Sequence, residues 1–118
     1  MKLLTFVLNQ TEKLDELLTE FAHMGIGGGT ILESTGMARV LGGHHDEEDI
    51  PFLGSLRSLL DPQREKSRTI LLVLSDEMIP VAVDAFERVV GDLSHRDTGI
   101  AFSVPIDFVK GLPTGGAE

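Results

Sequence analysis

Apolar residues recur with two different periods along this chain, and the changes of period mark out its elements. Residues 2–8 are almost continuously apolar, which predicts a strand lying centrally in a sheet. Thr11 then suits a helix N-cap, with Glu12 in the favourable first turn. Leu14, Leu17, Leu18 and Phe21 follow at i, i+3, i+4 and i+7, a helical stripe that faces a sheet. Gly25 suits its C-terminal cap. After Gly27-Gly28-Gly29, the alternation at Ile31, Glu33 and Thr35 predicts a second strand over 30–41, with Gly36 marking a bulge or a close backbone approach.

From Gly42 to Arg68 the pattern dissolves into a long loop. Such a length is uncommon in a compact domain unless the loop is functional or mobile. Within it Phe52, Leu53, Leu56, Leu59 and Leu60 have the spacing of a short helix. Residues 69–74 read as a third strand. Ser75 or Asp76 then caps a second helix, with Pro80 in its first turns, an apolar stripe at Ile79, Val83, Phe86 and Val90, and Gly91 at its close. A turn over 95–99 leads to a fourth strand at 100–104, and residues 106–109 suggest a short extra strand. The tail, 111–118, is Gly/Pro-rich and expected to fray. The order βαββαβ predicts one α+β domain over 1–110, a ferredoxin-like sandwich with an antiparallel sheet and both helices on one of its faces.

Composition narrows the function classes. With 118 residues the chain suits one domain, and its 42% apolar content can build a core. Six Phe and no Trp or Tyr make that core aliphatic and modest, the kind that often leaves apolar faces for oligomerisation to cover. The net charge of −9 argues against nucleic acid, whose phosphates need cations, and against an anionic membrane surface. Absence of cysteine excludes disulfides and thiolate chemistry and suits a reducing cytoplasm. No apolar run reaches membrane-spanning length and the start lacks the shape of a secretory signal, so a cytoplasmic protein without membrane insertion is expected. No serine has a nucleophile-elbow context and no catalytic constellation assembles, so the chain reads as a non-enzyme.

The stretch Gly25-Ile26-Gly27-Gly28-Gly29-Thr30, followed by Gly36-Met37-Ala38-Arg39 and by Val73-Leu74-Ser75-Asp76-Glu77, resembles the nitrogen-regulatory P-II family in order and spacing over most of the chain. That resemblance implies a homotrimer that binds an adenine nucleotide in clefts between subunits. It also implies that the loop 42–68 engages a partner protein, whether a transporter, an enzyme or a transcriptional regulator. Carried over by position, the ligand residues are Gly29, Thr30, Gly36, Met37, Arg39, Val73 and Gly99. Thr30 would face the base and Val73 line its pocket. Gly29 and Gly36 would allow close backbone approach, Arg39 would sit near phosphate at the base of the loop, and Gly99 belongs to the phosphate turn. The chain departs from the family where cations are needed: Ile100 stands in place of a lysine, and Lys110, Gly111 and Pro113 stand where paired arginines are usual. With each charged hydrogen bond contributing roughly 1.5–3 kcal/mol, AMP or ADP is a better expectation than ATP, and no cofactor is required. Val40 replaces a loop glutamine, and without tyrosine the loop cannot be modified by tyrosyl nucleotidylation.

Other motifs have plainer readings. The run His44-His45-Asp46-Glu47-Glu48-Asp49 offers metal ligands, and it would suit a metal-binding trimer of the divalent-cation-tolerance type. Adjacent residues in an extended loop diverge, however, so a solvated acidic loop is favoured. Gly27–Gly29 reads either as a nest for phosphate or as a tight turn. Arg57, Arg64, Lys66 and Arg68 form a basic return arm to that loop, placed to pair with acids or with phosphate.

Overall fold

The computed structural model describes residues 1–37, 66–95 and 98–112. Four strands are present among these residues: β1 (Lys2–Leu8), β2 (Thr30–Thr35), β3 (Lys66–Leu74) and β4 (Gly99–Pro105). They form one antiparallel sheet in the order β2-β3-β1-β4. The helices are α1 (Leu14–His23) and α2 (Met78–Val90), and a 3-10 turn at Thr11–Lys13 leads into α1. The result is a small α+β arrangement compatible with a ferredoxin-like fold. The two longest apolar strands, β1 and β3, occupy the centre, as their near-continuous hydrophobicity dictates.

Period-2 alternation divides the sheet into two faces. Leu4, Phe6 and Leu8 of β1 and Ile70, Leu72 and Leu74 of β3 are buried under the helices, with Leu17 and Phe21 from α1 and Ala82, Ala85, Phe86, Val89 and Val90 from α2. Phe6 is the hub of this layer. Its ring stacks on Phe86 with centroids 4.2 Å apart and on Phe21 at 5.7 Å, joining β1 to both helices. Across the outside of the helix pair, Arg88 donates twice to one carboxylate oxygen of Glu20, at 3.1 and 2.9 Å.

The helix ends differ from the sequence expectation. No side chain caps either N-terminus. Thr11 enters the 3-10 turn, so α1 starts at Leu14. Asp76 turns its carboxylate to Lys2 Nζ, 3.0 Å away, and the backbone carbonyls of Ser75 and Asp76 accept from Met78 and Ile79. The C-terminus of α1 closes as its glycine implies: Gly25, at φ 83, donates to the Ala22 carbonyl, and Ile26 donates to Phe21. Ile26 is buried in the same core as Phe21, the apolar contact that accompanies this cap. The last carbonyls of α2 are satisfied from a distance, because Gln10 Nε2 donates to Val90 O at 3.1 Å and Lys13 Nζ to Val89 O at 3.0 Å.

Strand limits differ too. β2 ends at Thr35, so Gly36 follows the strand and does not bulge it. β3 begins at Lys66, and Lys66 to Arg68 therefore belong to the ladder against β2 and not to a loop. No strand forms over 106–109; Ile106 N–H donates to the Met1 carbonyl. Leu18 is exposed at the rim of α1, while Leu14 is partly buried. The expected short helix within 52–60 lies outside the described residues.

Candidate functional site

The register places each candidate ligand residue on the sheet. Thr30 pairs with Leu71, and Val73 pairs with Leu3 on its other side. By alternation Thr30, Leu71 and Val73 share the face away from the helices, so Thr30 and Val73 sit about 7–8 Å apart on a diagonal. The structure brings these two together. Gly29 lies just before Thr30, and a Cβ there would stand 2.7 Å from Leu72 Cδ2 and 3.4 Å from the Leu71 carbonyl, so the backbone passes close against β3.

Gly36 and Met37 lie at the other end of β2, about 20 Å from Thr30 at ~3.3 Å per residue. Met37 is among the most exposed apolar side chains, at 77%. Gly99 opens β4, opposite Leu8, on the edge of the sheet remote from β2. Three inter-strand steps of ~4.8 Å separate the two edges by roughly 14 Å. The candidates therefore fall into a pair at one end, Thr30 with Val73, and members on both edges at the other. A single sheet does not gather them around one ligand. Arg39, His44 and His45 lie outside the described residues, as do Arg57 and Arg64.

Gly99 also has a structural task. Its φ is 144, and a Cβ would stand 2.6 Å from the Val7 carbonyl and 3.5 Å from the ring of Phe86. The Gly27–Gly29 run carries no positive φ, so it is not the alternating nest that cradles phosphate.

The face away from the helices carries an apolar surface. Ile100, Phe102 and Val104 of β4 are 54%, 49% and 44% exposed, beside half-buried Val7 and Leu3 and, further across, exposed Leu32 on β2. Ile100, where the resembled family carries a lysine, is one of these apolar residues. At the β2 end of this face Ser34 Oγ lies 2.7 Å from Ser67 Oγ and 2.8 Å from Thr69 Oγ1, a hydroxyl cluster that no sequence motif announces.

On the helix side of the same strands, Glu33 faces two cations. Lys66 Nζ is 3.6 Å from one carboxylate oxygen and Arg68 Nη2 is 3.8 Å from the other. Half of the expected basic return arm is thus a pair of strand residues answering a strand acid.

Electrostatics elsewhere are local. The hydrogen bond and charge of Lys2, with the N-terminal ammonium, hold the Asp76 carboxyl below its ordinary range. Backbone and hydroxyl hydrogen bonds from Ser94 do the same for Asp92. Among the described residues no group of three His, Cys, Asp or Glu side chains could hold a metal ion, and no helix is long and apolar enough to cross a membrane. No family model matches the chain, and no curated protein matches it.

Proposed function

We propose that the chain is a non-catalytic, P-II-like effector-binding protein that acts as a homotrimer. Its effector is an adenine nucleotide, AMP or ADP in preference to ATP, held where the sheet end of one copy meets the sheet end of another. The observation that carries this reading is the split of the candidate ligand residues. Thr30 and Val73 share one end, Gly36, Met37 and Gly99 stand at the other, and a second copy in a shared cleft would bring the two sets to one ligand. The apolar face of Ile100, Phe102 and Val104 supports association, because exposed patches of this kind mark interaction surfaces. An isoleucine at the position of the resembled lysine supports the smaller phosphate count, since each missing charged hydrogen bond removes roughly 1.5–3 kcal/mol from triphosphate binding. Signalling would pass to a partner protein through residues 42–65.

The test joins mass in solution to thermal shift. Three times the chain mass by light scattering, with stabilisation by AMP or ADP exceeding that by ATP, supports the reading. A well-folded trimer that none of the nucleotides stabilises removes nucleotide sensing. A monomer removes the shared cleft itself.

A further inference from the structure

Two features on the helix side of the sheet meet on the β2–β3 strand pair, and of the ligand residues in the nucleotide reading only Gly29 borders them. The first is a cleft of about 260 Å³ between α1 and the first half of β2. Leu18, Phe21, Ile26, Ile31, Ile70 and Leu72 supply its side-chain walls, and Gly27–Gly29 passes along it. Polar side chains contribute nothing to this lining. An apolar cavity of about 150 Å³ is enough to hold a benzene ring, so the cleft has room for a ring and several methylenes.

The second feature begins where the cleft ends. Ile31 pairs with Ile70, and one step along the same face, about 7 Å on, Glu33 pairs with Arg68, followed by Thr35 with Lys66. Arg68 Nη1 is shut away from solvent with no hydrogen-bond partner among the described residues. Its Nη2 lies 3.8 Å from Glu33, too far for a hydrogen bond. Lys66 leans on that same carboxylate. Two cations therefore share one exposed anion, and a guanidinium N–H inside the protein has no acceptor. Buried donors without acceptors are rare in folded proteins and call for an explanation. The guanidinium fork matches a carboxylate or phosphate in bidentate fashion.

We propose that this face binds a small amphiphilic oxyanion. Its apolar body, the size of one ring with a short chain, occupies the cleft, and its carboxylate or phosphate head lies on Arg68 and Lys66. The site belongs to one copy of the chain and stands whether or not the nucleotide reading does.

Calorimetric titration of the full-length chain tests this with four probes. The probes 4-phenylbutyrate and phenyl phosphate carry both body and head, 4-phenylbutanol lacks the charge, and butyrate lacks the ring. Either of the first two should bind roughly tenfold or more tighter than 4-phenylbutanol, the fold-change expected for one charged hydrogen bond, and tighter than butyrate, which buries no ring. The tighter of the two names the head group. Arg68→Gln should lose the same factor while keeping its helical circular dichroism, and Leu18→Glu, at the exposed rim of the cleft, should weaken the three ring-bearing probes more than butyrate. Amide shifts on binding should centre on Ile31, Ile70 and Leu72. Equal binding of 4-phenylbutanol, unchanged binding by Arg68→Gln, shifts confined to the other face of the sheet, or no binding by any probe would each overturn the proposal.

Discussion

Phe6 and Gly99 show what a single residue decides in this fold. Phe6 is fully buried, and its ring lies between Phe86 and Phe21, so it holds both helices against the central strand. Phe6→Ala removes the shared partner and leaves a cavity that neither helix can fill alone. Changes of that kind cost about 3–5 kcal/mol, a large part of the ~5–15 kcal/mol by which small domains are stable. The urea midpoint should fall accordingly. A double-mutant cycle between Phe6 and Phe86 should retain about 0.5–1.5 kcal/mol of coupling from ring stacking. Gly99 works by absence. At φ 144, with the Val7 carbonyl 2.6 Å from where a Cβ would sit, an L side chain meets both backbone strain and a collision with backbone that cannot swing away. Gly99→Ala should therefore destabilise by about 1–3 kcal/mol even without ligand. If a thermal melt of the free protein leaves Gly99→Ala unchanged, the glycine is there for a ligand's approach and not for the fold.

At the scale of elements, the helix ends carry the predictions that local sequence rules miss. Lys13 reaches from the turn before α1 to the Val89 carbonyl at the end of α2, where the helix dipole also favours a cation. Lys13→Met should lower stability by about 1.5–3 kcal/mol, the contribution of one charged hydrogen bond, read as a drop in melting temperature. Asp76 ties β1 to the junction between β3 and α2. Because Lys2 holds its carboxyl below the ordinary range, the unfolded chain takes up this proton first as pH falls. The contribution is complete above about pH 3.9, the ordinary aspartate value, and is lost as pH drops through the lower folded value. Asp76→Asn should flatten that part of the acid stability profile. The elements themselves were legible because period alone marks β1, β3 and the stripes of both helices, and because Gly25 and Gly91 end them. Their joints were not. Gln10 and Lys13 find carbonyls 80 and 76 residues away, and Asp76 prefers Lys2 to its own helix. No local pattern records such partners. The strand-bound Lys66 and Arg68 were hidden for a related reason: polar residues that face a cross-strand acid read as loop until the register is known. For the candidate site, the strand positions of Thr30 and Val73 followed from alternation, whereas their separation from Gly99 depends on strand order, which composition and period leave open.

For the whole molecule, the two faces of the sheet pose one question. The helix side is filled by a packed core except at the cleft between α1 and β2, while the other side presents Ile100, Phe102 and Val104 at about half exposure on β4, an edge strand. These three are about half exposed, so covering each stabilises by roughly half of the ~1.5–3 kcal/mol of full burial, a gain that offsets part of the entropy lost on association. Phe102 is the residue to change, because its ring points away from the core and its loss should not disturb folding. Phe102→Glu would put an unpaired carboxylate into each subunit contact of a trimer that covers this face, where burial of unpaired charge is strongly opposed. Sedimentation velocity should then show the wild-type chain as a trimer and Phe102→Glu as a monomer with unaltered far-ultraviolet circular dichroism. The same variant separates the two binding sites proposed for this chain. Nucleotide stabilisation should disappear with the trimer, since the proposed cleft takes its ligand residues from two copies. Amphiphilic anions should still bind the monomer, because Arg68, Ile31 and the cleft under α1 belong to one chain and lie on the opposite face. A monomeric variant that keeps full nucleotide response would show that the effector does not need a second copy, and the shared cleft would have to be abandoned.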